Sequence, residues 1–139
     1  MMALQPFRDG LAVATLWQEA RGCSYTEQCL VAQVIKNRMA LDYESDGTLL
    51  GTILKPYQFS GWLNPTIIAR SLDAVSESQN NVDQLWMAWE KGFILEPHLV
   101  EYYSPADMQP PGSVPRWARG ITPAKTTPNF CFFTIEQMT

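Results

Sequence analysis

The 139-residue chain has little of what most reactive sites are built from: one histidine, His98, and three cysteines, Cys23, Cys29 and Cys131. With a single histidine there is no Cys-His zinc site to expect, and no metal or cofactor is called for. A cysteine nucleophile paired with His98 stays formally open, but no local motif supports it. The odd cysteine count leaves at least one thiol unpaired within a monomer. Cys23 and Cys29 are too far apart to bridge on a continuous helix, and only a break at Ser24 would change that. All three are read as reduced, small hydrophobic residues. Basic clusters are missing too. Ten Lys and Arg are scattered through a chain of net charge −4, which argues against nucleic acid and against electrostatic attraction to anionic membranes or polymers. No apolar run approaches the roughly 18 residues of a membrane span. Arg8 and Asp9 interrupt the start, so no secretory signal is expected. There is no internal repeat and no low-complexity tract.

What remains is a chain that is 46% hydrophobic, with five tryptophans, six phenylalanines and five tyrosines. Such a chain can bury roughly two-thirds of its unfolded surface, enough for a core and a cleft. One domain, residues 1–139, is expected. A first helix is predicted over Asp9–Gly22, with Ala12, Val13, Leu16, Trp17 and Ala20 as its apolar stripe and Gly22 as its stop. Ser24 and Glu27 stand at capping-box spacing and open a second helix over Tyr25–Leu41. Leu30, Val31, Val34 and Ile35 form its apolar face. Arg38 falls inside that face and Asn37 at its border, so the pair "NR" implies an internal hydrogen-bond network. "ESDGT" reads as a loop, and "GTILKPYQFSGW" as a helical turn running into an irregular aromatic segment. Asn64 and Pro65 start a third helix that ends near "SQNN". Asp83 caps a fourth with Leu85, Trp86 and Trp89 on one side. "HLVEYYS" and "FCFFTI" are two short strands able to pair. Between them lie six of the ten prolines, in a loop long enough to expect a function for it. The expected class is α+β, mainly α, with a small β element near the C-terminus.

Three groups of residues could carry chemistry. Glu19 sits at the edge of the apolar stripe of the first helix, beside Ala12 and Leu16. The ordinary reading is a solvated glutamate near a helix end. The sharper one is a general acid: a carboxyl that opens onto a cleft loses solvation, its pKa rises, and it can hold a proton near neutral pH. Cleavage of a glycosidic bond needs such a donor for the leaving oxygen. The second group is "YQFSGW", with Tyr57, Gln58, Ser60 and Trp62 around Phe59. Amides and hydroxyls between aromatic rings suit a sugar, and an aromatic loop plugging the core explains them equally well. The third is "VEYYSP" with "PRWARG", giving Tyr102, Tyr103, Arg116 and Trp117, for which packing of the long loop is the alternative.

Taken in order, "EARG", "VAQVIKNRM", "QFSGW", "EYYSP" and "PRWA" resemble the SleB-type cell-wall hydrolases, a family of spore-cortex lytic enzymes and phage lysis proteins. The resemblance runs from about Leu11 to Phe133. It implies a compact lysozyme-like or transglycosylase-like domain acting on peptidoglycan, between N-acetylmuramic acid and N-acetylglucosamine. It implies Glu19 as the catalytic acid, Gln58 and Ser60 lining the cleft, Asn37 and Arg38 as scaffold, and Tyr102 and Tyr103 on the opposite wall. Two positions depart from the family: Cys23 stands where a second acid often follows "EARG", and where a histidine often comes before the tyrosine pair Glu101 stands nearby, the one histidine, His98, lying further upstream.

Hydrolysis by either standard route wants a second carboxylate. Glu27 reads as a cap, Asp42, Glu44 and Asp46 belong to a helix end and the loop after it, and Glu101 as a strand residue is expected to face solvent. A lone Glu19 favours the lytic transglycosylase, in which one acid protonates the leaving oxygen and then acts as base on the muramic 6-hydroxyl. A muramidase using Glu101 is the other route. The rival function is a non-catalytic peptidoglycan-binding or virion-structural protein on the same fold. The expected partner is the glycan strand, without nucleic acid or membrane insertion. The expected setting is a protein made in the host cytoplasm. It would act as an endolysin released through holin pores, or as a phage particle component in contact with other virion proteins.

Overall fold

The computed structural model describes residues 5–79, 82–92 and 96–139. Its long helices are α1 (Gln5–Ala20), α2 (Tyr25–Leu41), α4 (Pro65–Ser76) and α5 (Val82–Glu90), with short helices α3 (Leu49–Ile53) and α6 (Ile135–Met138). Strands β1 (Leu99–Tyr103), β2 (Lys125–Thr126) and β3 (Cys131–Thr134) form one antiparallel sheet in the order β1-β3-β2. The chain is therefore mainly helical with a small sheet near its C-terminus, as its patterning indicated. None of the described helices is long and apolar enough to cross a membrane.

The capping box at Ser24 and Glu27 is present, and α2 has the predicted bounds. Asn64 accepts the Ile67 N–H at 3.2 Å and Pro65 follows it at the first helical position. The first helix differs from expectation. It starts at Gln5, and Pro6 is tolerated there because the first turn has no use for its missing N–H. It ends at Ala20, where the Cys23 N–H closes a turn on the Ala20 carbonyl at 3.0 Å. Asp83 lies inside α5, one residue after its start, and not at the expected cap position. The three cysteines are free.

Ala12, Val13, Leu16, Leu30, Val31, Val34, Ile35, Ile53, Leu85 and Phe132 are fully buried in one cluster that draws on α1, α2, α3, α5 and β3. The strand β1 lies at the sheet edge, with β3 on one side only. An edge strand leaves a row of carbonyls that need partners. Here α2 supplies them. Asn37 Nδ2 donates to the carbonyls of Glu96 and Leu99 at 2.7 and 2.9 Å, and Arg38 Nε donates to that of Val100 at 2.7 Å. The buried "NR" pair thus fastens the sheet to the helical layer. This anchoring fixes the position of the next residues of β1, Tyr102 and Tyr103.

Candidate active site

A cavity of about 410 Å³ opens between the C-terminal end of α1 and the end of β1. Gln18, Glu19 and Arg21 form the first wall, and Tyr102, Tyr103, Ser104, Asp107 and Met108 face them. Ser60, Gly61, Asn64, Ile67 and Phe130 complete the lining. Gln18 also fixes the side wall: its Nε2 donates to Ser71 Oγ of α4 at 3.1 Å. A side chain at position 61 would collide with the Gln18 amide, which explains the glycine in "FSGW".

Glu19 projects from the last turn of α1. The Tyr102 hydroxyl donates to its Oε1, while Oε2 has no hydrogen-bond partner among the described residues. Burial pushes the Glu19 carboxyl above the usual carboxylate range. The Tyr102 hydrogen bond and the charge of Arg38 pull it down, and the charge of Asp107 pushes it up. The net shift is upward, so the group keeps its proton to higher pH than a surface glutamate does. Burial, and the negative charge of Glu19 next to it, push the Tyr102 phenol well above its ordinary value, so it remains a donor. Its ring is held edge-on against Phe130 at 5.4 Å and tilted against Phe132 at 5.7 Å.

The segment "YQFS" divides between cleft and core. Ser60 lines the cavity, whereas Phe59 is buried in the core. Gln58 points the other way, and its Oε1 accepts from Arg38 at 3.2 Å. Tyr57 adopts a left-handed backbone with φ 67° and is 85% exposed, away from the cavity lining. Trp62 packs on the core and its Nε1 donates to Thr15 Oγ1 at 3.0 Å. Of the sugar-binding candidates, then, Ser60, Tyr102 and Tyr103 line the cavity with Glu19, and Tyr57, Gln58 and Trp62 do not. Trp117 packs edge-on against Tyr103 at 6.0 Å and Phe133 at 5.1 Å, supporting the wall from behind. Arg116, beside it, is exposed.

Glu101 requires a correction. Period-two alternation leaves a strand glutamate facing water, but this one is tucked under α2 as the ion-pair partner of Arg38. Arg38 is 2% exposed, with its guanidinium over the Phe59 ring at 5.1 Å, and a charge so placed has to find a carboxylate. Glu101 does not line the cavity. Glu27 is more than a cap: it accepts from Thr127 Oγ1 at 2.7 Å and from Asn129 N and Nδ2 at 2.9 Å, tying the C-terminal loop to α2.

The sequence reading missed Gln18, Arg21 and Asp107. The first two stand close to Glu19 in sequence, which was the one signal available for them. Nothing local marks Asp107, which reaches the cavity only because the turn at Pro105–Asp107 folds back after β1. No group of three or more His, Cys, Asp or Glu among the described residues could hold a metal ion. Compared with protein-family models, with curated proteins and with solved structures, the chain has no match.

Proposed function

We propose that the chain is a peptidoglycan glycosidase of the lytic transglycosylase type, cutting between N-acetylmuramic acid and N-acetylglucosamine with Glu19 as its acid. One observation carries the reading: a desolvated carboxyl in the cleft, with one oxygen held by a phenol and the other free. A general acid for a glycosidic oxygen needs that combination of retained proton, fixed direction and open approach. On this reading the domain is lysozyme-like, and the phage lysis or wall-entry setting follows from the resemblance of "EARG", "QFSGW" and "EYYSP" to the SleB-type hydrolases.

The steps balance without water. Glu19 gives its proton to the oxygen leaving with N-acetylglucosamine, the bond from that oxygen to the muramic anomeric carbon breaks, and positive charge develops on the muramic ring. Glu19, now a carboxylate, takes the proton of the muramic 6-hydroxyl. That oxygen bonds to the anomeric carbon, and the protonated acid is restored. Glu101, engaged by Arg38, is a poor nucleophile, which favours this internal route over a covalent one through Glu101.

The test is digestion of purified peptidoglycan followed by mass spectrometry of the muropeptides. The expected products carry 1,6-anhydromuramic ends. Reducible muramic ends would make the protein a muramidase, and intact glycan strands would turn the reading toward a binding or virion-structural protein.

A further inference from the structure

The geometry points to Asp107 as a second catalytic carboxylate of this cleft, set against the muramic ring to stabilise the positive charge that develops there. The inference rests on the glycosidase reading above and adds to it a residue that neither the motifs nor the resemblance marks. Asp107 lines the same cavity as Glu19, from the turn that follows β1. The two are linked through one short piece of chain, since Tyr102 holds Glu19 and the turn carrying Asp107 begins two residues after Tyr103.

That turn is fixed by its own backbone. The Asp107 N–H donates to Ser104 O at 3.1 Å, and the Pro105 carbonyl accepts from Gly112 N at 2.8 Å. The Asp107 side chain is exposed and has neither a hydrogen bond nor an ion pair among the described residues. Three of the other acids are engaged elsewhere. Glu101 holds Arg38, Glu27 holds the C-terminal loop, and Glu44 lies 3.7 Å from Lys55.

The single-acid route needs no second proton carrier, but it leaves the charge on the muramic ring unanswered while Glu19 gives up its proton. Glu19 must be protonated to release the leaving oxygen, so at that moment it cannot also oppose the charge on the ring. A carboxylate carried by the turn after β1 and lining the same cavity can. Its charge also favours the protonated form of Glu19, whose other facing groups are the Tyr102 hydroxyl from β1 and the Arg38 guanidinium from α2, both acting the opposite way. Arg21 lines the cavity from the turn after α1. Asp107 forms no bond to the ring in this scheme, and the proton transfers remain those of Glu19 and the muramic 6-hydroxyl.

The experiment compares the wild-type chain, Asp107→Asn, Asp107→Glu and Glu19→Gln on soluble glycan strands, with rates taken across pH. Removing one group that stabilises transition-state charge should lower kcat on the order of 100-fold, with KM little changed. The alkaline limb of the Asp107→Asn profile should move to lower pH, because Glu19 then releases its proton more readily. Asp107→Glu should restore part of the rate, and all variants should melt as the wild type does. A wild-type kcat and an unmoved alkaline limb in Asp107→Asn, with cleavage still lost in Glu19→Gln, overturn the role of Asp107 alone. A wild-type chain that does not cleave, or a Glu19→Gln variant that does, overturns the glycosidase reading and this inference with it.

Discussion

Glu19 and Glu101 are two carboxyls withdrawn from water within the field of one guanidinium. Burial pushes both above the ordinary carboxylate range, and the charge of Arg38 pulls both back. Their surroundings then part. Around Glu101, Arg38 makes direct contact and also spans Gln58 and the Val100 carbonyl, so the carboxylate belongs to a closed network under α2. Around Glu19, the only direct partner among the described residues is a neutral phenol, and the second oxygen is left to the cavity. The contrast teaches that burial alone does not make a working acid. A buried carboxylate answered by a cation is a fastening, while one answered by a neutral donor beside open space can carry a proton to something else.

The contrast breaks first on Glu19→Gln. The amide keeps the shape and the bond from Tyr102 but has no acidic proton to give. Cleavage should fall about 100- to 10,000-fold while the melting temperature holds. A folded Glu19→Gln variant with normal cleavage would remove Glu19 from the chemistry and leave the two acids indistinguishable.

The closed network should break as stability. Arg38→Ala strands Glu101, Gln58 and the Val100 carbonyl in the interior, and losing one partner of a buried pair costs roughly 3–5 kcal/mol. Thermal or denaturant unfolding reads this directly, and an unchanged midpoint would place Arg38 outside the core. Glu101→Gln is the milder version. It keeps an acceptor for Arg38 but leaves the cation without its counter-charge, a loss of about 1–3 kcal/mol. Its cleavage of glycan strands should stay near the wild-type rate. A Glu101→Gln variant that is stable but inactive would move Glu101 from the scaffold to the reaction.

How far these roles could be read beforehand follows from what each depends on. The α2 helix was legible because its start is chemical and local: Ser24 and Glu27 satisfy each other's backbone, and the apolar face begins immediately after. The inward phase of Arg38 was legible from the same periodicity, and so was its need for partners. The identity of the partner was not, because Glu101 is distant in sequence and strand alternation assigned it to water. Alternation assumes that one face of a strand is wet, and β1 is covered by α2 where Glu101 sits. Gln58 and Ser60 were paired as cleft residues, but the left-handed turn at Tyr57 and the buried Phe59 send them to opposite sides. Asp107 depends on where a proline-rich loop lands, and a single sequence holds no local signal for that.

The smallest effect, and the one that discriminates best, concerns the phenol. Tyr102→Phe keeps the ring that packs against Phe130 and Phe132, so the fold should persist. It removes the hydrogen bond to Glu19 Oε1, which stabilises the carboxylate more than the acid. Without that bond the pKa of Glu19 rises further, its acid form survives to higher pH, and the alkaline limb of the activity profile moves up. The rate at the optimum should drop by about tenfold, the equivalent of one ordinary hydrogen bond used for orientation. The direction matters more than the size. Asp107 and Tyr102 push the same proton in opposite senses, so Asp107→Asn should carry the limb down and Tyr102→Phe should carry it up. If both substitutions shift the limb the same way, or neither does, the group titrating on that limb is not Glu19, and the distinction between the two buried acids has to be drawn elsewhere.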